Sequence, residues 1–327
     1  MRILLTHSPE ARDLYYGPNA LARLKELGTV KLNEEKQSLE GEALIAAAQD
    51  CDLIVSYRQS PGPAAVFERL PRLVAFVRCA IDIRNIDVPA ASKAGVLVTQ
   101  ASAGFITSVA EQVFGFMIDL SRNISRSSFL YLKKQIPAAS MGRELKGSTL
   151  GVIGYGQIGR EVARLGKAFG MRVLVTDPYA QVEGFEKVSF EKLLSESDFV
   201  VPLAVATAET ENLIDEKALK KMKRGAYLVN LSRGNLVDEA ALEKALDSGH
   251  LGGCAMDVGR APDQMPTPRL AARPDVIATP HSAGLTLPAI EHQSLETVAQ
   301  AAEIAKGRAP KGALNAGHWR RKELLKK

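Results

Sequence analysis

The sequence predicts an α/β protein of two domains, each built on a doubly wound parallel sheet. Three observations carry this expectation. Short apolar runs alternate with amphipathic helical stretches over the first hundred residues, six further strand-like runs follow from residue 149, and a glycine-rich turn joins the first of those six to a helix. The chain has 327 residues, 46% of them hydrophobic, enough for two cores of ordinary size. The expected division is 1–100 plus 285–327 for one domain and 101–284 for the other.

In the first domain the apolar runs at 3–5, 53–55, 74–77 and 96–98 read as strands, and 20–27, 44–48 and 89–94 as helices between them. A helical stretch at 108–120 and a polar segment to Lys146 lead into the second domain. There, strands are expected at 149–153, 172–176, 199–203, 226–230, 253–258 and 276–279. Helical patterns at 158–169, 190–195, 216–222 and 239–246 separate most of them, which is the arrangement of a dinucleotide-binding sheet. A last helix is expected at 288–304, with Ile290, Leu295, Val298, Ala301 and Ala302 apolar. It should pack back on the first domain and make that domain discontinuous.

No segment reaches the roughly 18 consecutive apolar residues of a membrane span, and the apolar run at the start is too short for a secretion signal. A cytoplasmic protein is expected. Cys51, Cys79 and Cys254 lie far apart in or beside apolar stretches and show no metal-ligand spacing, so they read as small core residues, with no metal site. From Lys311 onward, six Lys/Arg against Glu323 account for the whole net charge of +5. That pattern reads as a solvated basic terminus and not as a nucleic-acid surface.

Gly154-Tyr155-Gly156-Gln157-Ile158-Gly159 follows the first strand of the second domain and opens its helix. The first glycine permits the tight turn, the second lets backbone approach a pyrophosphate, and the third lets helix and strand pack closely. Unpaired amides at the helix start, from Gln157 and Ile158 onward, then face the phosphates. Asp177 lies 18 residues past Gly159 at the end of the next strand, where a carboxylate accepts hydrogen bonds from ribose hydroxyls. An acid there repels a 2′-phosphate, and no arginine follows in Pro178-Tyr179-Ala180, so the expected cofactor is NAD.

An open α/β sheet binds its ligands at the carboxyl ends of its strands. Three polar residues of complementary chemistry fall there: Arg233 after the fourth strand of the second domain, Asp257 at the end of the fifth, and His281 after the sixth. Reducing a 2-oxoacid needs a fixed cation to hold the carboxylate and polarise the carbonyl, and a guanidinium fork does both. It also needs an acid for the developing alkoxide, a task suited to histidine and helped by a neighbouring carboxylate that orients the ring.

These residues together resemble the D-isomer-specific 2-hydroxyacid dehydrogenase family, whose members include phosphoglycerate, glyoxylate/hydroxypyruvate, D-lactate and formate dehydrogenases. The resemblance lies in Ser108-Val109-Ala110-Glu111, Leu145 to Gly159, Ala168-Phe169-Gly170-Met171, Asp177-Pro178-Tyr179, Leu228 to Asp238, Asp257-Val258 and Thr279-Pro280-His281. It implies a Rossmann NAD-binding domain beside a discontinuous flavodoxin-like substrate domain, with Arg233 binding substrate and His281 as acid/base. It also implies Leu231 and Asp257 beside the cofactor, and a homodimer joined largely through the nucleotide domains.

The chain departs from the family in three places. Pro262 stands where the catalytic glutamate would fall, and Asp263-Gln264-Met265-Pro266 looks like the family's Glu-Pro-Leu-Pro displaced by one inserted residue, so Asp263 is the expected carboxylate partner of His281. Arg78-Cys79-Ala80-Ile81-Asp82-Ile83-Arg84 resembles the family's substrate loop but has no glycine. Amides around Ala80 and Ile81 should still grip a substrate carboxylate, but Asp82 would repel it unless turned away. Leu203-Ala204-Val205 lacks the usual His or Cys and proline beside the cofactor. Tyr57 and Arg58, after the strand at 53–55, are expected as further substrate contacts.

The function expected is therefore NAD-dependent hydride transfer to or from a small 2-hydroxy or 2-oxo acid of D stereochemistry. The alternative is a nucleotide-sensing regulatory protein related to dehydrogenase-like corepressors, favoured by the altered glutamate and glycine loop. A formate- or phosphite-like donor is a third option, on the strength of Gln264 alone.

Overall fold

The computed structural model describes residues 1–326, which divide into two compact units, 1–105 with 285–326 and 106–284. Unit 1 runs β1 (Arg2–Leu5), α1 (Pro9–Tyr15), α2 (Pro18–Glu26), β2 (Thr29–Leu32), α3 (Gly41–Ala48), β3 (Leu53–Ser56), α4 (Ala64–Arg69), β4 (Ala75–Arg78), α5 (Val88–Ala94) and β5 (Leu97–Gln100). Its strands form one parallel sheet in the order β2-β1-β3-β4-β5. That is the flavodoxin-like order, whose direction reverses between β1 and β3.

The period of two along each strand divides the unit 1 core in two. Ile3, Leu5, Leu53, Val55, Ala75, Val77 and Leu97 face one way, toward Tyr16 and Leu24. Leu4, Ile54, Phe76 and Val98 face the other, toward Leu44, Ile45, Phe67 and Ala91. β2 was not foreseen from the sequence. It is an edge strand whose residues are only half covered, so Thr29-Val30-Lys31-Leu32 gives no strong apolar signal.

Unit 2 begins with α6 (Ile106–Arg122) and α7 (Ile124–Leu132). It continues through β6 (Thr149–Ile153), α8 (Gln157–Ala168), β7 (Arg172–Thr176), β8 (Glu186–Lys187), α9 (Phe190–Glu196), β9 (Phe199–Pro202), α10 (Glu216–Lys221), β10 (Tyr227–Asn230), α11 (Glu239–Asp247), β11 (Gly253–Met256), α12 (Pro268–Ala271) and β12 (Val276–Ala278). The sheet order is β12-β11-β10-β9-β6-β7-β8, all parallel. Seven strands stand where six were expected. The missed one, β8, is two exposed residues at the edge beyond β7. Numbered from β6, the order is 3-2-1-4-5-6-7, the 3-2-1-4-5-6 order of a dinucleotide-binding fold with β12 added beyond β11 and the reversal between β6 and β9. The stretch read as merely polar after α6 contains α7, no residue of which is buried.

Helix α13 (Leu287–Ala305) belongs to unit 1. Val298, Ala301 and Ile304 join the core face that holds Ile3 and Leu5. Thr297 Oγ1 lies 3.2 Å from the Tyr16 hydroxyl, and Thr99 donates to Gln300 Oε1 at 2.7 Å.

The basic terminus departs from expectation, because over 313–321 it is a strap and not a solvated tail. Asn315 Oδ1 accepts from Val98 N at 2.8 Å, and its amide donates to Val96 O at 2.9 Å. Trp319 is 5% exposed and donates to Val74 O at 3.1 Å. The Arg321 guanidinium bonds the carbonyls of Leu73 at 3.0 Å and Phe67 at 3.1 Å, near the C-terminal end of α4. An arginine of this kind caps carbonyls that a short helix leaves unpaired.

The three cysteines are buried and free. Burial pushes the Cys51 thiol up to about 11 and those of Cys79 and Cys254 up to about 12, which leaves them as core residues without nucleophilic character. Among the described residues no helix is long and apolar enough to cross a membrane.

His7, just after β1, is fully buried between the rings of Tyr16 and Tyr57, at 5.1 and 5.0 Å, and neither of its ring nitrogens has a partner. Burial first, then the cations Arg78 and Arg12, push its pKa down to about 3. The unfolded chain therefore takes up this proton near pH 6.5 and the folded one does not. Stability is complete above that pH and drains as pH falls toward 3, by about 1.4 kcal/mol per pH unit. Between pH 6.5 and 4.5 the parent should lose about 2 kcal/mol more in denaturant unfolding than His7→Gln. Equal losses in the two proteins would show that His7 is not held neutral.

Candidate active site

The three glycines at the start of α8 serve three different needs. Gly154 has φ +97°, and a Cβ there would lie 2.7 Å from Ala204 N and 2.8 Å from Leu203 O, at the end of β9. A Cβ on Gly159 would lie 2.1 Å from the Gly154 carbonyl oxygen, so helix and turn touch through bare backbone. At Gly156, the N-cap of α8, a Cβ would meet nothing within 4 Å. The first and third glycines are thus required by the chain itself. The second lies open beside the first-turn amides of α8, Gln157 and Ile158 included, as a cradle for a pyrophosphate must.

Asp177 follows β7 and closes this cradle. Its Oδ2 accepts from Tyr155 N at 2.7 Å, and its Oδ1 accepts from Tyr179 N at 2.8 Å and Ala180 N at 2.9 Å. Burial works to raise its pKa, but the three backbone donors and Lys187 outweigh it and the net shift is downward. A fixed anion therefore stands at the end of the second strand of the sheet. This geometry fits NAD, with glycine turn, helix amides and carboxylate each in place.

The loop after β12 carries His281 and is clamped by Asp257, which is 1% exposed just beyond β11. Asp257 Oδ1 accepts from the Thr279 hydroxyl at 2.5 Å and Ser282 N at 2.8 Å, while Oδ2 accepts from Ala283 N at 2.9 Å. Thr279 Oγ1 in turn accepts from Gln112 Nε2 on α6 at 2.9 Å. His281 itself has φ +53°, and its amide donates to Asp257 O at 2.9 Å and Thr279 O at 3.0 Å. A non-glycine residue is held in this conformation only where its surroundings over-determine it. The sequence reading placed Asp257 beside the cofactor. Its carboxylate is engaged here by the histidine loop.

Arg233 leaves β10 in extended conformation, φ −146°. The buried Asn230 braces it: Nδ2 donates to Arg233 O at 3.0 Å and Oδ1 accepts from Ser232 N at 3.1 Å. Leu231 between them is buried. The next residue, Gly234, packs so closely on the loop after β11 that a Cβ would lie 2.1 Å from Gly259 O. That loop reaches the histidine, because His281 Nδ1 lies 2.7 Å from the backbone oxygen of Asp263. Arg233, Asp257, Asp263 and His281 therefore occupy one packed corner at the carboxyl edge of the unit 2 sheet. Asp263 was expected to meet His281 through its carboxylate, and it meets the ring through its main chain. Asn230, Thr279 and Gln112 went unnoticed in the sequence.

The remaining expected residues lie in unit 1. Tyr57 is buried beside His7, with its ring 5.5 Å from that of Tyr15. The Arg58 guanidinium sits 5.5 Å above the Tyr15 ring, and its Nε donates to the Tyr57 hydroxyl at 3.5 Å. Ala80 O accepts from Ala101 N at 3.2 Å, and Ile81 is 39% exposed. Asp82 grips Arg84 through a fork, with Nη2 to Oδ2 at 2.5 Å and Nε to Oδ1 at 3.0 Å. Its charge is thus compensated within the loop, which answers the repulsion that the sequence raised.

Comparison with known proteins bears on this geometry. Residues 114–283 match the D-isomer specific 2-hydroxyacid dehydrogenase, NAD binding domain. A glyoxylate reductase of Korarchaeum cryptofilum is 35% identical over 274 residues, covering 80% of this chain and 82% of that protein. A D-3-phosphoglycerate dehydrogenase of Bacillus subtilis is 33% identical over 267 residues, 80% of this chain, but the match covers only 51% of that longer protein. The apo structure of D-lactate dehydrogenase from Escherichia coli superposes with a TM-score of 0.82 at 28% identity, covering 96% of this chain and 100% of that one.

Proposed function

Since the chain belongs to the D-isomer specific 2-hydroxyacid dehydrogenase family, NAD-binding oxidoreductases, we propose that it interconverts a small 2-oxo acid and its D-2-hydroxy acid. The observation that carries this reading is the corner in which an arginine and a histidine from separate strand ends are each braced by neighbouring polar groups. NAD, when bound, supplies or receives the hydride at C2 of the substrate. Arg233 holds the substrate carboxylate with its planar fork and polarises the adjacent carbonyl. His281 gives a proton to the developing alkoxide in reduction and takes it back in oxidation.

On this reading Gly154, Gly156, Gln157, Ile158 and Gly159 receive the pyrophosphate, Asp177 the ribose hydroxyls, and Leu231 and Asp257 border the nicotinamide end. Tyr57, Arg58 and the backbone of Ala80 and Ile81 contact the substrate. Purified protein should oxidise NADH in the presence of at least one member of a 2-oxoacid panel, followed by loss of NADH absorbance. Tight NADH binding with no turnover across the panel would overturn the enzyme reading in favour of a nucleotide-sensing regulatory protein.

The same reading includes a homodimer. Helix α7 and the residues after it expose Ile124, Phe129, Leu132, Ile136 and Met141, a run of apolar side chains of the kind that marks an interaction surface. The parent should sediment at twice the 35.2 kDa chain mass, and Phe129→Glu combined with Leu132→Glu at the single mass. A parent already at the single mass would remove the dimer from the proposal.

A further inference from the structure

The loop after β11 is closed on itself. Gly259 N donates to Gln264 O at 2.8 Å, Ala261 N to Met265 O at 3.0 Å, and Met265 N to Pro262 O at 3.3 Å. A Cβ on Gly259 would lie 2.6 Å from Pro266 Cα, so the two limbs of the loop touch. Within it, Asp263 (φ 56°, ψ 24°) and Gln264 (φ 57°) are both left-handed. This turn of the main chain is what delivers the Asp263 carbonyl oxygen to His281 Nδ1 at 2.7 Å.

Building on the reading of His281 as acid/base, we infer that the main-chain carbonyl of Asp263 is the group that orients it, in the place where a carboxylate side chain was expected. A carbonyl oxygen can only accept, so Nδ1 must carry a hydrogen in both charge states of the ring. That assigns the exchangeable proton to Nε2. In reduction Nε2–H breaks as the O–H of the hydroxy acid forms, and the ring is left neutral with Nδ1–H intact. In oxidation the same proton returns to Nε2. Asp263 is thus a positioning residue, through an atom that every amino acid possesses. To deliver that carbonyl the position needs a residue that accepts positive φ, and aspartate is among the non-glycine types that do so most readily. The carboxylate that clamps the histidine loop, Asp257, has its oxygens on Thr279, Ser282 and Ala283.

Three variants test this. Asp263→Asn and Asp263→Gly keep a residue that tolerates the turn and remove the carboxylate. In both, ¹⁵N spectra of labelled histidine should still report the Nδ1–H tautomer for His281, whatever removal of the carboxylate does to turnover. Asp263→Val, β-branched and ill suited to positive φ, should lose that tautomer signature and lower kcat at least tenfold, on the order of one mispositioned general acid, while NADH still binds. An altered tautomer in both Asn and Gly variants would overturn the inference and return the role to the carboxylate. So would a valine variant with parental kcat. If valine prevents folding, the asparagine and glycine variants decide the question alone. Failure of the underlying reading is separately visible, as undiminished turnover in His281→Ala.

Discussion

His281→Ala should lower kcat with a 2-oxoacid by a factor of about 10²–10⁴ while leaving NADH binding in place, since on the proposed function it removes the group that supplies the proton to the substrate oxygen. The two halves of this expectation have separate structural grounds. Turnover depends on a ring fixed by its amide bonds to Asp257 O and Thr279 O and by the Asp263 carbonyl. Nucleotide binding is assigned by the same proposal to the Gly154–Gly159 turn and Asp177, at the end of the sheet's first two strands and not on the histidine loop. Single-turnover measurement with NADH titrated by fluorescence reads both. Turnover within a few-fold of the parent would remove His281 from its proposed role, whereas loss of NADH affinity would mean that the loop serves the cofactor as well.

Asp257→Ala should have a second large effect, on stability and catalysis together. The substitution withdraws the acceptor from Thr279 Oγ1, Ser282 N and Ala283 N in one step. Buried donors left without acceptors cost about 1–3 kcal/mol each, partly recovered by relaxation, so a loss of roughly 2–4 kcal/mol is expected in denaturant unfolding. Because those donors belong to the residues on either side of His281, kcat should fall by on the order of 100-fold as the ring loses its position. Asp257→Asn should be intermediate, since its amide oxygen can serve one side of the clamp while its NH₂ opposes a donor on the other. An Asp257→Ala protein with parental kcat and a raised KM for NADH would instead place the carboxylate's work on the cofactor.

Much of this site was legible in the sequence because its chemistry depends on side-chain type at strand ends. Only glycine fits at Gly154 and Gly159, only a carboxylate closes the turn as Asp177 does, and a guanidinium and an imidazole stand out after β10 and β12. The buried strands of both sheets announced themselves as unbroken apolar runs. What escaped was structure that leaves little compositional trace. β2 and β8 are short edge strands, and α7 buries none of its residues. Asn230, Thr279 and Gln112 are ordinary polar residues whose roles come from what they meet in space. The contact to His281 was assigned to the right residue and the wrong atom. A main-chain carbonyl is invisible to any reading by side-chain type, and the left-handed turn that presents it has no glycine to mark it.

The strap of residues 313–321 sets the order in which the molecule can be completed during synthesis. Unit 2 is one continuous stretch and can close its core as soon as residue 284 has emerged. Unit 1 cannot, because Trp319 reaches back to Val74 across 245 positions, and α13 must cover Ile3, Leu5, Val55 and Leu97. Contacts of such long sequence separation form slowly, and the nascent sheet waits with one apolar face uncovered until they do. Lesions at Trp319 or Arg321 should show themselves as aggregation that begins in strands more than two hundred residues away.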